Sequence, residues 1–140
     1  MKGIRQLLLL LTVSTILSAC NSSPSLPPPE RLAGSWMVSA IQDKPVIANS
    51  KAKLVFSEEN KLSGSASCNN ISTSYSSHNS TLKIAPIATT RKMCAPALMK
   101  QEAIFLQSLS KVKRFQVNNG ELSMFDQQGM LQLKAKRTEH

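Results

Sequence analysis

Few residues of this chain are of types that carry chemistry. The chain has 140 residues, with three cysteines and two histidines. A metal site needs three or four ligands within reach, but His78 and His140 do not stand at ligand spacing from Cys20, Cys68 or Cys94. A nucleophilic cysteine needs a general base and an orienting partner, and neither is apparent. Because the phosphate-loop, GxSxG and HExxH patterns are also missing, we expect no cofactor, no metal, no catalytic residue and no enzymatic activity.

Cys20 follows an export signal. Lys2 and Arg5 precede an apolar stretch at 7–17, which is shorter than the roughly 20 residues of a membrane-spanning helix and typical of a signal peptide. Residues 17–20, Leu-Ser-Ala-Cys, resemble the bacterial lipobox, whose cysteine receives diacylglycerol. We therefore predict a lipoprotein signal peptide at 1–19 and lipid attachment at Cys20.

The residues after Cys20 predict a tether. The segment 21–30 contains four prolines and three serines, and a proline-rich chain is extended by about 3.1 Å per residue, so residues 20–30 form a spacer of roughly 30 Å at most. Asn21 stands where an aspartate would signal retention in the inner membrane of an enteric-type host. We expect the protein at the bacterial outer membrane, facing the periplasm and held there by its lipid.

Cys68 and Cys94 remain once Cys20 carries lipid. Two cysteines in an oxidising compartment pair readily, whereas a metal pair or a catalytic thiol lacks the further residues it needs. We predict a Cys68–Cys94 disulfide, worth about 3.5 kcal/mol on the chain-entropy estimate.

Short alternating runs bounded by turn residues predict eight strands. These runs lie at 32–41, 52–56, 61–66, 71–76, 82–84, 112–117, 122–125 and 130–135. Tight-turn residues at 118–120 and 126–129 make the last three strands a meander. Residues 96–109 are good helix formers after Pro96, with an apolar stripe at Leu98, Phe105 and Leu109. Glu102 falls within that stripe, either at its shoulder in contact with water or buried beside a Lys or Arg.

The formal net charge of +9 could indicate nucleic acid as a partner. Signal removal deletes Lys2 and Arg5 and lowers the charge to +7, and the few aromatic residues are not interleaved with the basic clusters at 111–114 and 134–137, so we expect no nucleic-acid binding. Two interpretations remain open: attraction to an anionic lipid or lipopolysaccharide surface, or a basic face that is merely solvated.

Several motifs occur in a fixed order and together point to one family. They are Leu32-Ala-Gly34-Ser-Trp36, Gly64-Ser-Ala-Ser-Cys68-Asn69 followed by Tyr75, Ile84-Ala-Pro-Ile87-Ala-Thr89-Thr90-Arg-Lys-Met93-Cys94, a helix with Glu102 and Leu109, and a closing hairpin at 122–129. From about residue 32 to residue 136 the chain resembles the META domain of HslJ-like proteins. It departs from the family pattern at Ser67 and Ser74, where glycine is usual.

The resemblance implies a mainly β fold, a small antiparallel β-barrel or half-barrel of about eight strands with one packed α-helix, as the domain at 31–137. Such domains occur in exported bacterial proteins that are often linked to stress or drug tolerance, and no catalytic residues are attributed to the motif. Trp36, Asn69, Thr90 and Met93 could be structural or functional, with Trp36 in the core and Asn69 and Thr90 bonded to turn backbone.

These observations favour a non-enzymatic, membrane-anchored envelope lipoprotein that contributes to outer-membrane integrity or stress tolerance by binding an envelope component or protein. We expect it to be a monomer. Two alternatives are an inhibitor of a lysozyme-type hydrolase, disfavoured because lysozymes are commonly basic and the chain is too, and a carrier of a small apolar ligand inside the barrel.

Overall fold

The computed structural model describes residues 31–138, so the predicted signal, spacer and lipid site at Cys20 lie outside the described residues. Ten strands and one helix follow one another in this part. Their bounds are β1 Gly34–Ile41, β2 Lys44–Pro45, β3 Lys53–Phe56, β4 Lys61–Ser65, β5 Asn70–His78, β6 Thr81–Ile84, β7 Ala88–Thr89, α1 Pro96–Lys111, β8 Arg114–Asn118, β9 Glu121–Phe125 and β10 Leu131–Arg137. All eight predicted strands and the predicted helix are present, while the two-residue strands β2 and β7 were not predicted.

Eight of the strands close into an antiparallel barrel. Each pairs with the next in the order β1, β3, β4, β5, β6, β8, β9, β10, and β10 returns to pair with β1. Trp36 therefore lies between Leu54 of β3 and Arg137 of β10 in the ladder. The narrowest seam joins β6 to β8, where a single ladder pair links Thr81 to Arg114. The prediction of a mainly β fold with a barrel or half-barrel is confirmed as a closed barrel.

Alternation along the strands fills the barrel interior. Fully buried side chains come from six of the eight barrel strands, and they include Trp36, Leu54, Phe56, Leu62, Leu82, Leu122, Met124 and Leu133. The ring of Phe56 also meets that of Tyr75 edge to face, with centroids 5.0 Å apart. A packed interior argues against the carrier alternative, because a carrier needs an internal cavity.

Turn residues adopt the backbone conformations that their types favour. Asn60, Asn79 and Asn119 have positive φ, as do Gly120 and Gly129, in the turns that the sequence predicts. Asparagine and glycine tolerate this region with little strain. The register of these four hairpins is therefore specified locally.

Helix α1 covers the end of the barrel at which β1 and β4 finish. Pro96 occupies its first turn, where a missing N–H removes no helical hydrogen bond. Phe105 and Leu109 are buried as predicted, but the buried face is rotated towards Gln101 and Ser108, while Met99 remains 37% exposed. The apolar pattern did not predict this rotation, because it follows from hydrogen bonds between these two polar side chains and the loops below the helix.

The opposite end of the barrel, where β1 begins, is fastened by Arg137. Its guanidinium carbon lies 4.1 Å from the centre of the Trp36 ring, and its Nη1 donates to the carbonyl of Ala33 over 3.1 Å. Gly34 makes room for it, since a Cβ there would lie 2.6 Å from that nitrogen. The residues that enter from the predicted spacer are therefore held at the barrel end remote from α1.

No helix of the described part is long and apolar enough to cross a membrane. Within the same residues, no group of three or more His, Cys, Asp or Glu side chains is placed to hold a metal ion. His78 is the last residue of β5, and His140 lies outside the described residues.

Candidate interaction site

The candidate site begins at the turn that joins β4 to β5. Ser67 has a φ of +93°, a conformation that suits glycine, and this directs the chain from β4 through Cys68 and Asn69 into β5. The Ser67 hydroxyl lies 3.0 Å from that of Ser50 and accepts a bond from Gln101 Nε2 over 3.1 Å. These bonds hold a serine in the strained position at which the family usually has glycine.

The predicted disulfide joins this turn to the segment before α1. Cys68 and Cys94 are bonded, with their Cα atoms 5.9 Å apart. The Cys68 side chain is buried, so the bridge passes beneath the surface and holds the segment between Thr90 and α1 against the barrel. The prediction of this pair is confirmed.

Asn69 holds the same segment from a second point. Its Oδ1 accepts the backbone N–H of Lys92 over 2.6 Å and the hydroxyl of Thr90 over 2.9 Å. Its Nδ2 donates to the carbonyl of Lys92 over 3.4 Å, so one side chain binds both backbone polar groups of a single residue. Thr90 Oγ1 in turn accepts the N–H of Asn70. The expectation that Asn69 and Thr90 bond turn backbone agrees with these contacts.

The carboxylate of Glu102 in α1 accepts three hydrogen bonds from Cys68 and Asn69. Its Oε1 accepts from Asn69 Nδ2 over 2.7 Å, and its Oε2 accepts the N–H groups of Asn69 and Cys68 over 2.7 and 3.2 Å. Glu102 is half-buried, and the partners of its carboxylate among the described residues are amide groups and not the Lys or Arg of the second alternative. The carboxylate therefore ties the helix to the turn that carries the disulfide.

These buried contacts all hold one short exposed loop, which we call the 91–93 loop. It consists of Arg91, Lys92 and Met93, all three exposed, and Met93 has 85% of its surface accessible to solvent. The loop is fixed by Thr90 and Asn69 on one side and by Cys94 on the other. Two cations and an apolar side chain are thus displayed on a backbone that hydrogen bonds and a disulfide hold at both ends, an arrangement that suits recognition of another surface and offers no nucleophile or general base.

Sequence reasoning placed Met93 in a motif but did not single out Arg91 and Lys92. The available signal was their position, because a three-residue link closed by a bonded threonine and a bridged cysteine has little freedom. The hydrogen bonds of Glu102 were also missed, since its three donors come from residues more than 30 positions away. Neither pattern nor propensity reports such distant partners.

The fold and this site define a class of protein: an eight-stranded barrel closed by one helix, with an exposed loop at the helix end that a disulfide holds in place. The chain belongs to the META domain family, whose model matches residues 30–138.

Comparison with solved structures supports the fold. A protein from Burkholderia xenovorans, solved by NMR, is 22% identical, with a TM-score of 0.63 over 89% of this chain and all of that one. A second NMR structure is 24% identical, with a TM-score of 0.60 over 74% of this chain and 88% of the other. A DUF4847 family protein from Bacteroides vulgatus is 13% identical, with a TM-score of 0.56 over 77% and 94% of the two chains. No match was found among curated proteins.

Proposed function

We propose that this protein is a lipid-anchored component of the bacterial envelope that works by binding another envelope component through the 91–93 loop, not by catalysis. The observation that carries the proposal is the exposure of Arg91, Lys92 and Met93 on a backbone held by buried Asn69 and the Cys68–Cys94 bridge.

The anchoring of the loop at both ends supports a binding role. Ordering a flexible loop on association costs free energy, and a loop already fixed in its bound conformation avoids much of that cost. An exposed methionine contributes nothing to the core of the barrel, and its flexible thioether adapts to varied apolar surfaces. Both features are explained if the loop contacts a partner.

The chemistry of the loop selects the partner. Arg91 and Lys92 favour an acidic surface, and Met93 requires an apolar recess within it. The predicted spacer enters beside Arg31, at the far end of β1, whose eight residues correspond to about 26 Å of strand. A tether at one end of the barrel favours a partner on the side away from the anchoring membrane, so we favour an acidic envelope protein over the lipid surface.

The anchor is tested by fractionation of cells that express the Cys20→Ala chain. Wild-type protein is expected in the outer-membrane fraction of a Gram-negative host, because Asn21 stands in place of the aspartate that would retain it in the inner membrane, and the variant is expected in the soluble periplasm. Asn21→Glu serves as a matched control that leaves the acceptor cysteine in place. A Cys20→Ala chain that stays with the membrane would overturn the anchor.

The loop is tested by a photo-crosslinking residue placed at position 93 in intact cells. The matched control is position 130, because Met130 is also exposed, at 64%, but lies in the turn before β10. A discrete adduct is expected from position 93 only, and it should disappear in the Arg91→Glu/Lys92→Glu background. An adduct that survives this charge reversal, or equal adducts from both positions, would contradict binding through the loop.

The contribution to envelope integrity is tested in cells that lack the protein. Greater sensitivity to detergents or hydrophobic drugs is expected in these cells. Wild-type protein should restore tolerance, whereas the Arg91→Glu/Lys92→Glu variant at equal abundance should not. Full restoration of tolerance by that variant would show that the 91–93 loop is not required for it.

A further inference from the structure

A groove of about 300 Å³ lies between the β1–β2 hairpin and α1. Its apolar lining comes from Ile41, Pro45 and Ile47 on the hairpin side and from Ala97 and Ile104 on the helix. Ile47 and Ile104 are each 38% exposed. Two isoleucines facing one recess while accessible to solvent form a surface that a ligand could cover.

Hydrogen bonds hold the two walls of the groove in place. Gln101 of α1 is 8% exposed, and its Oε1 accepts the N–H of Ile47 over 2.8 Å. Gln42 Nε2 donates to Ser108 Oγ over 3.1 Å, which joins the hairpin turn to the helix a second time. The groove is therefore formed before any ligand arrives, which is usual for small-molecule sites.

Backbone strain accompanies this arrangement. Gln42 and Asp43 both have positive φ, +48° and +63°, in a two-residue turn of the kind that normally uses asparagine or glycine. Residues held in sparsely populated conformations persist where the surroundings fix them, and they concentrate at functional sites. Here the strained turn directs β2 over the helix and forms one wall of the groove.

The charges at the groove are of one sign. Lys44 contributes from the hairpin wall and Lys100 from the helix wall, and no acidic residue of the described part lines the groove. Asp43 precedes Lys44 in the turn but is not part of the lining. A ligand that satisfies both the apolar floor and the two cations must combine an apolar body with an anionic head.

The geometry points to a binding site for a single-chain anionic amphiphile, a fatty carboxylate, in this groove. The apolar chain lies against Ile41, Ile47 and Ile104, and the carboxylate lies between Lys44 and Lys100. A volume of about 300 Å³ is at the lower end of the range for ligand sites, so one short acyl chain fits and a two-chain phospholipid does not. This inference does not depend on the lipid anchor or on the 91–93 loop.

The probes are decanoate, decyl maltoside and decyltrimethylammonium, all below their micelle concentrations, with acetate as an anion without a chain. The protein is the chain from residue 31 onwards, which contains the complete barrel core, with its disulfide formed. Backbone amide shifts measured by NMR report binding. Decanoate is expected to shift the amides of Ile47 and Ala97 saturably, while the neutral and cationic amphiphiles bind at least about ten-fold more weakly and acetate has no effect.

Matched variants assign the site. Ile104→Asp is expected to abolish decanoate binding, whereas Met37→Asp, at a residue 41% exposed on the barrel wall, should leave it unchanged. Lys44→Glu/Lys100→Glu should weaken binding by at least about ten-fold, and Lys83→Glu, an exposed lysine outside the groove, by less than two-fold. Circular dichroism and the melting temperature identify any variant that has failed to fold.

Several results would overturn the proposal. These are no saturable shift with decanoate, equal binding of the three amphiphiles, shifts away from the groove, or retained binding by folded Ile104→Asp. If the amide shifts of Ile47 and Ala97 change with protein concentration in the absence of ligand, the groove is instead a surface for self-association. All measurements use purified protein, so their failure is distinguishable from failure of the crosslinking and fractionation tests.

Discussion

At the scale of single residues, Glu102 and Asn69 show how buried polar groups hold an exposed loop. The two side chains use their polar atoms on each other and on backbone groups of Cys68, Asn69 and Lys92. A hydrogen bond to a charged acceptor contributes about 1.5–3 kcal/mol. Replacement of either side chain therefore affects the turn, the helix and the loop together.

Glu102→Gln should lower the free energy of unfolding by about 2 kcal/mol. In either orientation, the amide NH₂ of glutamine faces at least one N–H group that the carboxylate now accepts. Denaturant unfolding measures the change. Glu59→Gln is the control, because Glu59 is exposed and its contact with Lys61 is 3.5 Å long, so we expect well under 1 kcal/mol there. Equal effects of the two substitutions would contradict the role of Glu102.

Tyr75 makes the stability of the barrel depend on alkaline pH. Burial, with a smaller effect from Glu58, raises the pKa of Tyr75 above its ordinary value of 10.0. The native state therefore keeps its phenol proton at pH values where the unfolded chain has lost it. The resulting stability is fully present below pH 10 and is lost as the pH rises through the native pKa.

Tyr75→Phe should remove this alkaline dependence. Near neutral pH the variant should be less stable by about 1 kcal/mol, because the phenol donates to the carbonyl of Ser57 over 2.6 Å. Above pH 10 the difference between the two proteins should narrow, since only the wild type loses the tyrosine contribution. Urea unfolding at a series of pH values measures both. A constant difference across that range would refute the linkage.

At the scale of elements, strand β4 depends on the absence of one side chain. Gly64 has a φ of +152°, and a Cβ there would lie 1.9 Å from the carbonyl oxygen of Lys53 in β3. The two strands approach closely at this point, directly before the turn that carries Ser67 and Cys68. A larger residue must separate β3 from β4 or shift their register.

Gly64→Ala should therefore lower the melting temperature far more than Gly120→Ala. Gly120 also has positive φ, +73°, but a Cβ there would meet no atom within 4 Å. The control carries the cost of a positive φ, which is about 1 kcal/mol for an ordinary residue, without a clash against a neighbouring strand. Thermal unfolding of both variants gives the comparison. Similar losses would show that β3 and β4 can separate at no cost.

Strands and turns were predictable where the residues that determine them are neighbours in the sequence. Alternation and asparagine or glycine turns predicted the eight barrel strands, and Asn119 and Gly120 adopt the expected positive φ. The rotation of α1 towards Gln101 was not predictable, because the partners of Gln101 are Ile47, Ser50 and Ser67 on distant loops. Strands β2 and β7 were missed because two residues carry no period. The disulfide was predictable only because two cysteines remained after Cys20.

At the scale of the whole molecule, the two ends of the barrel differ in structure. Arg137 and Trp36 fasten the end that the predicted spacer enters, while α1, the 91–93 loop and the groove lie at the other. Some cationic side chains already have partners within the barrel: Arg137 stacks on Trp36, and Lys134 lies 3.7 Å from Glu121. The cations available to a partner are therefore fewer than the net charge suggests.

The disulfide links stability to the function proposed for the loop. It closes a segment of 26 positions, so Cys68→Ser/Cys94→Ser should lower the free energy of unfolding by up to about 3.5 kcal/mol. It should also free the backbone after Thr90, so that trypsin cleaves at Arg91 and Lys92 faster than global unfolding allows. Mass spectrometry of timed digests measures these cuts, with Lys51 in the loop before β3 as the internal control. If cleavage at Arg91 and at Lys51 rises by the same factor, the bridge stabilises the whole barrel without rigidifying the loop, and binding through a preformed 91–93 loop loses its structural basis.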